Sequence, residues 1–550
     1  MKKINILLVS ILFLFFNCSK QKFKPITVTA KKLLQKHIPL NNEELENWYV
    51  KDLNLDTIPG ISLERAYNDL LQNQNGKKVL VAIIDTEIDI KHNDLEKNIW
   101  INNNEVPNNN IDDDGNGYID DVNGWNFIGN LKNENILYSN LECVRVIQEY
   151  ENKIKFSDSI LLKKTNEFET YQKAKEYYKK SLKAAKDDQE YAMFLYEGYP
   201  KAKKALKKLF PKENYTKKEL DSIYSSNKKK NKELAKNAYF LSDCIKYDIS
   251  KEWIDNYKKN IDNKLTKTLN LNFFDKENID KQPDNLGFIK YGNPYVNKNI
   301  SEFYHGTLIA GLVSSKLNNE TYNNIEIMPL AISSNGEEHD KDIALAIRYA
   351  VDNGAKVINM SFGKMFSLHK EWVFDAFKYA EENNVLIVSS AGNSNVDLTI
   401  SNNYYPNDNL NNGKEIVNNF LLVGSISSKL DKSFKSYFSN YSNEDVDIFA
   451  PGEYIYTTLP KNKYKFDSGT SLASAITSKV AALIYSYYPN LSVGQVKDIL
   501  MDSGLKYTFE VSTPIKKDKN KTTIFSKLSK SGKVLNAYNA LIMADSISRN

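Results

Sequence analysis

Residues Val79 to Ile84 read Val-Leu-Val-Ala-Ile-Ile and end at Asp85. A run this short, apolar throughout and rich in β-branched residues has no polar face to give to water. It suits a strand covered on both sides, which is the situation inside a parallel sheet. Similar runs recur at Ile325 to Ala331, Lys356 to Met360, Val385 to Ser389 and Phe420 to Val423. Helical patterns lie between them. Asp342 to Asn353 places Ile343, Ala346, Ile347 and Ala350 at spacings of 3, 1 and 3, and Trp372 to Asn383 is similar. Strands alternating with helices predict an α/β fold around a mostly parallel central sheet.

One stretch breaks the alternation. From Leu131 to Asp284 the only glycine is Gly198, and lysine, glutamate and tyrosine abound. Tyr171, Ala174, Tyr178, Leu182 and Ala185 recur at spacings of 3, 4, 4 and 3, which is one face of a helix. Thr216 to Glu219, ahead of Leu220 and Ile223, reads as a capping box. The prediction is a set of charged amphipathic helices inserted into the α/β domain. Lys228 to Lys230 reads as a solvated face of that insertion. Lys+Arg is 74 and Asp+Glu 69, a formal charge of +5, so no nucleic-acid-binding surface dominates the chain. With 41% apolar and 26% charged residues, global disorder, collagen and a multi-span membrane protein are excluded. Three cysteines cannot build a disulfide scaffold.

The N-terminus carries an address. Lys2 and Lys3 precede Ile4 to Phe16, a nearly unbroken apolar run of thirteen residues. Spanning a bilayer takes ~20, so the run reads as an export signal rather than a membrane helix. Cys18 follows in Phe-Phe-Asn-Cys-Ser-Lys. This resembles a bacterial lipoprotein signal, whose cysteine becomes the lipid-modified first residue. Asn17 departs from that pattern, which usually has a small residue before the cysteine. The resemblance implies an exported protein of the cell envelope, lipid-anchored to a bacterial membrane on its periplasmic or surface face. A plain secretory signal is the alternative. Cleavage would leave Cys143 and Cys244, free to pair or to stay apart.

Three blocks carry chemistry. Asp85 closes its strand at the carboxyl end, where α/β folds place functional groups. His305 opens His-Gly-Thr-Leu-Ile-Ala-Gly, whose small residues let a helix pack closely and hold the imidazole rigidly. Ser471 lies in Asp-Ser-Gly-Thr-Ser-Leu-Ala-Ser-Ala, where a helix begins and its dipole favours developing negative charge. Together the blocks resemble those of the subtilisin-like serine proteases, the subtilases, which share the order Asp, His, Ser. The likeness continues through Ser361-Phe362-Gly363, similar to the edge strand that pairs with substrate backbone. It continues through Ser390-Ala391-Gly392-Asn393, similar to the block that supplies an oxyanion-hole asparagine, and through Val446 to Gly452.

The resemblance implies a subtilisin-like three-layer fold with a large inserted α-helical segment. Its parts would be a signal peptide at 1–17, a lead-in at 18–76, catalytic segments at 77–130 and 284–545, and the insertion at 131–283. It implies a serine endopeptidase acting on protein or peptide substrates, with no cofactor required for chemistry. Ser471 would be the nucleophile, His305 its base, Asp85 the group that orients the histidine, and Asn393 an oxyanion donor. Departures from the family pattern are Glu87 for glycine, Leu308 for a second histidine, Leu472 for methionine and Ala475 for proline. None removes a reacting atom, and Glu87 is expected to face outward. His37, His92, His339 and His369 lack a small-residue frame and are expected to be structural.

Asn110 to Asp121 is dense in oxygen ligands. Asp112, Asp114 and Asn116 fall at alternate positions before Gly117, the opening spacing of an EF-hand-like calcium loop. The Tyr118 carbonyl and a carboxylate of Asp120 or Asp121 could complete a structural Ca2+ site. Asn123 stands where an EF-hand has its bidentate glutamate, so the loop is not a full EF-hand. A competing reading keeps the fold but not the catalysis: an inactive envelope scaffold or binding protein working through the helical insertion. Trp48, Tyr49, Ile58 and Ile61 are apolar anchors by which the lead-in is expected to pack onto the catalytic domain. No motif encodes an oligomeric state.

Overall fold

The apolar run at Val79 forms an inner strand of a ten-stranded sheet. The computed structural model describes residues 27–28 and 40–549, apart from 73, 131, 133, 157–165, 290, 316–323, 402–403 and 411–413. The export signal, Cys18 and His37 lie outside the described residues. The strands are β1 (Thr27–Val28), β2 (Val79–Asp85), β3 (Trp125–Asn126), β4 (Ile325–Ala331), β5 (Val357–Met360), β6 (Leu386–Ser390), β7 (Phe420–Ile426), β8 (Ile448–Pro451), β9 (Leu505–Tyr507) and β10 (Lys533–Val534). They are ordered β1-β9-β10-β8-β7-β6-β5-β2-β4-β3. Among the described residues every pairing is parallel except β9 with β10.

β2 is buried along nearly its whole length, as a run without a polar face requires. It pairs with β5 on one side and β4 on the other, so Ile84 lies between Met360 and Leu330. β7 runs past the expected Val423 to Ile426. The reason is β8, which pairs with Gly424, Ser425 and Ile426 and keeps them in the sheet. Gly424 leaves room for the Phe449 ring, which would lie 2.5 Å from a Cβ there.

Helices cover both faces. The helix at His305–Val313 and the one at Thr470–Tyr487 pack on each other and on the sheet. Those at Asp340–Asp352 and Lys370–Glu382 form a second packed pair. The result is the expected three-layer α/β fold.

The insertion is helical as its periodicity predicts. Numbered with the core helices in chain order, it comprises α1 (Glu142–Phe156), α2 (Asn166–Leu206), α3 (Lys217–Asn227), α4 (Lys232–Lys246) and α5 (Lys251–Asn263). The core helices are α6 (His305–Val313), α7 (Asp340–Asp352), α8 (Lys370–Glu382) and α9 (Thr470–Tyr487). On α2 the apolar stripe buries Tyr171, Ala174 and Ala185. Thr216 caps α3, accepting from the Glu219 amide while Glu219 returns a carboxylate to the Thr216 amide. Two small apolar clusters hold the helices together, and one of them includes Phe366 from the catalytic part. Cys143 and Cys244 are both buried and unpaired. Lys228 to Lys230 are exposed. Among the described residues no helix is long and apolar enough to cross a membrane.

Candidate active site

The groups singled out from the sequence form two clusters at the carboxyl ends of neighbouring strands, Asp85 with His305 and Ser471 with Ser361 and Asn393. Asp85, the last residue of β2, is 2% exposed. Its carboxylate accepts from the Thr86 amide at 2.7 Å and holds His305 Nδ1 at 2.8 and 2.9 Å through its two oxygens. A carboxylate partner makes Nδ1 the donor, which leaves Nε2 as the free acceptor of a neutral ring. Burial alone would lower the His305 pKa. The charge and hydrogen bond of Asp85, with a further contribution from Asp467, outweigh it and hold the imidazole above its ordinary range.

His305 opens α6, and Gly306 explains how the helix comes so near. A Cβ at Gly306 would lie 2.5 Å from the Thr86 carbonyl oxygen. Without one, the Gly306 amide reaches Thr86 Oγ1 at 2.8 Å and the helix start is pinned to the end of β2.

Ser471 lies in the first turn of α9 and is 8% exposed. Its Oγ donates to the Ser361 carbonyl at 3.1 Å, and Ser361 Oγ donates back to the Ser471 carbonyl at 3.1 Å. Asn393 is fixed from the other side. Its Oδ1 accepts from the Thr470 amide at 2.9 Å and from Thr470 Oγ1 at 3.0 Å, so Nδ2 remains as a donor. A Cβ at Gly469 would lie 3.6 Å from Asn393 Nδ2 and 3.7 Å from the Ser471 amide. Two donors therefore face one small space at the start of a helix, whose first amides have no partner within the helix.

Ser361, Phe362 and Gly363 follow β5 directly, and Ser390, Ala391 and Gly392 end or follow β6. These segments flank Ser471. Gly392 donates to Thr470 Oγ1 at 3.0 Å, which ties its segment to the same first turn. Between the two segments lies Tyr404, which no motif pointed to.

Glu87 does not face outward. It is fully buried, and accepts from Asn135 Nδ2 at 2.8 Å and from the Asn299 amide. Burial raises its carboxyl pKa, and those bonds oppose the shift. It fastens the start of the insertion to the segment before α6. Leu308, Leu472 and Ala475 are core residues. His92 sits against the Lys463 carbonyl, His339 bonds Asp275 at 2.8 Å, and His369 stacks on Trp372.

In the acidic loop, Asp114 and Asp121 converge with Glu105, their ligand oxygens all within 4.8 Å of one another. Glu105 was not part of the sequence pattern, and its place eight residues before Asp113, whose amide it binds at 2.9 Å, gave no spacing signal. Asn116 joins Asp114 and Asp121 through its Nδ2. Asp112 is not one of the three; it accepts from the Asn116 and Gly117 amides at 3.0 and 2.8 Å, and the Asn116 amide is shared with Asp114. The Tyr118 ring is buried edge-on to Trp125, Phe127 and Tyr349.

Comparison with known proteins follows the same residues. The subtilase family model matches residues 76–527. A thermophilic serine proteinase of Bacillus sp. (strain AK1) is 35% identical over 188 residues, 33% of this chain and 42% of that protein. Subtilisin DY of Bacillus licheniformis is 31% identical over 202 residues, 36% of this chain and 68% of that protein. The crystal structure of a lanthipeptide protease aligns with a TM-score of 0.34 at 26% identity, covering 44% of this chain and 76% of that one. The match thus spans less than half the length of the thermophilic proteinase.

Proposed function

The chain belongs to the subtilase family of serine-type endopeptidases, and on that premise we propose that it hydrolyses peptide bonds through Ser471, His305 and Asp85. The observation that carries this reading is the pairing of His305 Nδ1 with Asp85 beside two donors that converge next to Ser471. In this reading the Ser471 hydroxyl leaves the Ser361 carbonyl and turns toward His305 Nε2. Nε2 accepts the proton as Oγ attacks the scissile carbonyl carbon. Asp85 stabilises the imidazolium that forms. The oxyanion lies between the Ser471 amide and Asn393 Nδ2, and one such donor contributes about 3 kcal/mol to the barrier. His305 then gives its proton to the leaving amine, and water hydrolyses the acyl-enzyme by the same steps in reverse.

The substrates in this reading are proteins or peptides laid along Ser361 to Gly363. The Lys2 to Cys18 sequence supports export and lipid attachment at Cys18 in the cell envelope. The carboxylates of Glu105, Asp114 and Asp121 suit a structural Ca2+, a hard cation that takes oxygen ligands. Burial and the neighbouring carboxylates push the Glu105 carboxyl upward, a cost that a divalent cation would offset. That ion would brace the loop and take no part in the reaction.

The test is a fluorophosphonate probe on the soluble form beginning after Cys18, read by intact mass. One adduct on the parent and none on Ser471→Ala is the expected result. A folded parent that takes up no adduct overturns the reading.

A further inference from the structure

Each segment beside Ser471 carries a glycine, and one aromatic ring occupies the space that the two glycines leave. A Cβ at Gly363 would lie 2.3 Å from both Cζ and Oη of Tyr404. A Cβ at Gly392 would lie 2.7 Å from Cε2 and 3.0 Å from Cζ of the same ring. The phenol therefore bridges the gap, in contact with both backbones. Its Oη donates to the Ser390 carbonyl at 2.7 Å. The next residue is fixed as well: Lys364 and Tyr405 exchange backbone hydrogen bonds of 2.7 and 2.8 Å. The ring is thus anchored from the segment it faces.

We propose that Tyr404 determines specificity: it fills the pocket for the side chain of the residue whose carbonyl Ser471 attacks, and limits that residue to glycine, alanine or serine. The inference rests on the catalytic reading above. In the catalytic reading a substrate strand lies along residues 361–363 with its carbonyl carbon at Ser471 and its oxygen toward Asn393. Side chains on an extended strand alternate between its two faces. On that path the side chain at the scissile carbonyl points toward the gap between 361–363 and 390–393, which is where the ring stands. A methyl group fits above it. A benzyl or isobutyl group requires the ring to leave, breaking the bond to Ser390 and both glycine contacts.

A cavity of about 440 Å³ shares Tyr404 as a wall and is lined further by Met365, Phe366 and Leu398. Ser471, His305, Asn393, Gly363 and Gly392 are not among its lining residues. The ring thus stands between the two glycines on one side and this cavity on the other. Removing the ring joins the two sides.

The test compares kcat/KM on peptides that differ only in having alanine or phenylalanine before the cleaved bond. Fluorophosphonate labelling runs alongside on every variant. The parent is expected to prefer alanine by about tenfold or more, the scale on which pocket fit discriminates. Tyr404→Ala is expected to move the ratio toward phenylalanine by about tenfold or more while still labelling. Tyr404→Phe, which keeps the ring, is expected to keep the parent's ratio. A labelled parent that cleaves as well after phenylalanine as after alanine overturns the inference alone, and so does a labelled Tyr404→Ala with an unmoved ratio. A parent that does not label overturns the catalytic reading together with this one. The parent's own ratio decides even where the alanine variant fails to fold.

Discussion

In the proposed reaction, His305 shows how much of a base's behaviour comes from residues that never touch the substrate. Asp85 sets its tautomer, and Asp467, on the strand Lys463–Asp467, adds a further negative field. The ring must be neutral to accept a proton, so activity rises with pH as His305 loses its own. Because its pKa is raised, that acid-side limb should lie above the ordinary histidine value of about 6.5. Asp467→Asn removes one raising charge and leaves Lys465, its partner at 2.9 Å, unpaired. The limb of kcat/KM should then move to lower pH with the plateau kept. A limb that stays in place would show that Asp467 is screened from the ring. At this scale the sequence was legible wherever a residue sat in a motif, as with Asp85, His305, Asn393 and Ser471. Tyr404 and Glu105 were not legible, and Asp467 was read only as the first residue of the Ser471 block. Tyr404 and Asp467 act on groups distant in the chain, and Glu105 lies outside the alternate-position pattern of the acidic loop. Glu87 was misread because a carboxylate near a catalytic aspartate reads as outward, whereas amides from Asn135 and Asn299 satisfy it inside.

The elements were better announced than their junctions. The helices at 340 and 370 and the strands of the inner sheet lie within a few residues of their apolar patterns. What periodicity could not show is how the insertion grips the catalytic part. Lys364, one residue past Gly363, is fully buried. It bridges Asp340 at 2.8 Å at the start of α7 and Glu142 at 3.2 Å at the start of α1, and donates to the Glu338 carbonyl at 2.7 Å. Arg145 of α1 reaches the Glu337 and Glu338 carbonyls at 3.0 and 2.9 Å. The substrate-side segment is therefore fixed by groups from the insertion. Lys364→Met leaves the buried Asp340 carboxylate without its cation, while Glu142 keeps Arg145, and that loss costs about 3–5 kcal/mol. Urea unfolding should show that loss, and a change under ~1 kcal/mol would mean the carboxylate finds other partners. The α2 stripe and the Thr216 cap were readable because both are local rules. The Lys364 cluster was not, since it joins Glu142 to residues about 200 positions later in the chain.

For the whole molecule, the lead-in is part of the fold rather than an appendage. Trp48 is fully buried and donates its indole N–H to the Tyr454 carbonyl at 3.1 Å. Trp48→Ala should destabilise the protein by about 3–5 kcal/mol and lower its Tm. An unchanged Tm would place the lead-in outside the cooperative unit. The expectation that Trp48, Tyr49, Ile58 and Ile61 are buried anchors was met, because large apolar side chains in a polar segment need a core to enter.

The same seam continues at the far side of the sheet. β9 and β10 lie between β8 and β1, and the Ala537 amide closes onto the Ile61 carbonyl at 2.7 Å. β9, β10 and Ala537 all come after Ser471 in the chain. A polypeptide emerging N-terminus first thus exposes Asp85, His305 and Ser471 while two strands of its sheet and the partner of Ile61 are still to come. Completion of the sheet waits on the arrival of residues 505–537. For an exported protease of the kind proposed, the order of emergence is itself a delay, one that keeps the fold unfinished until nearly all of the chain is out.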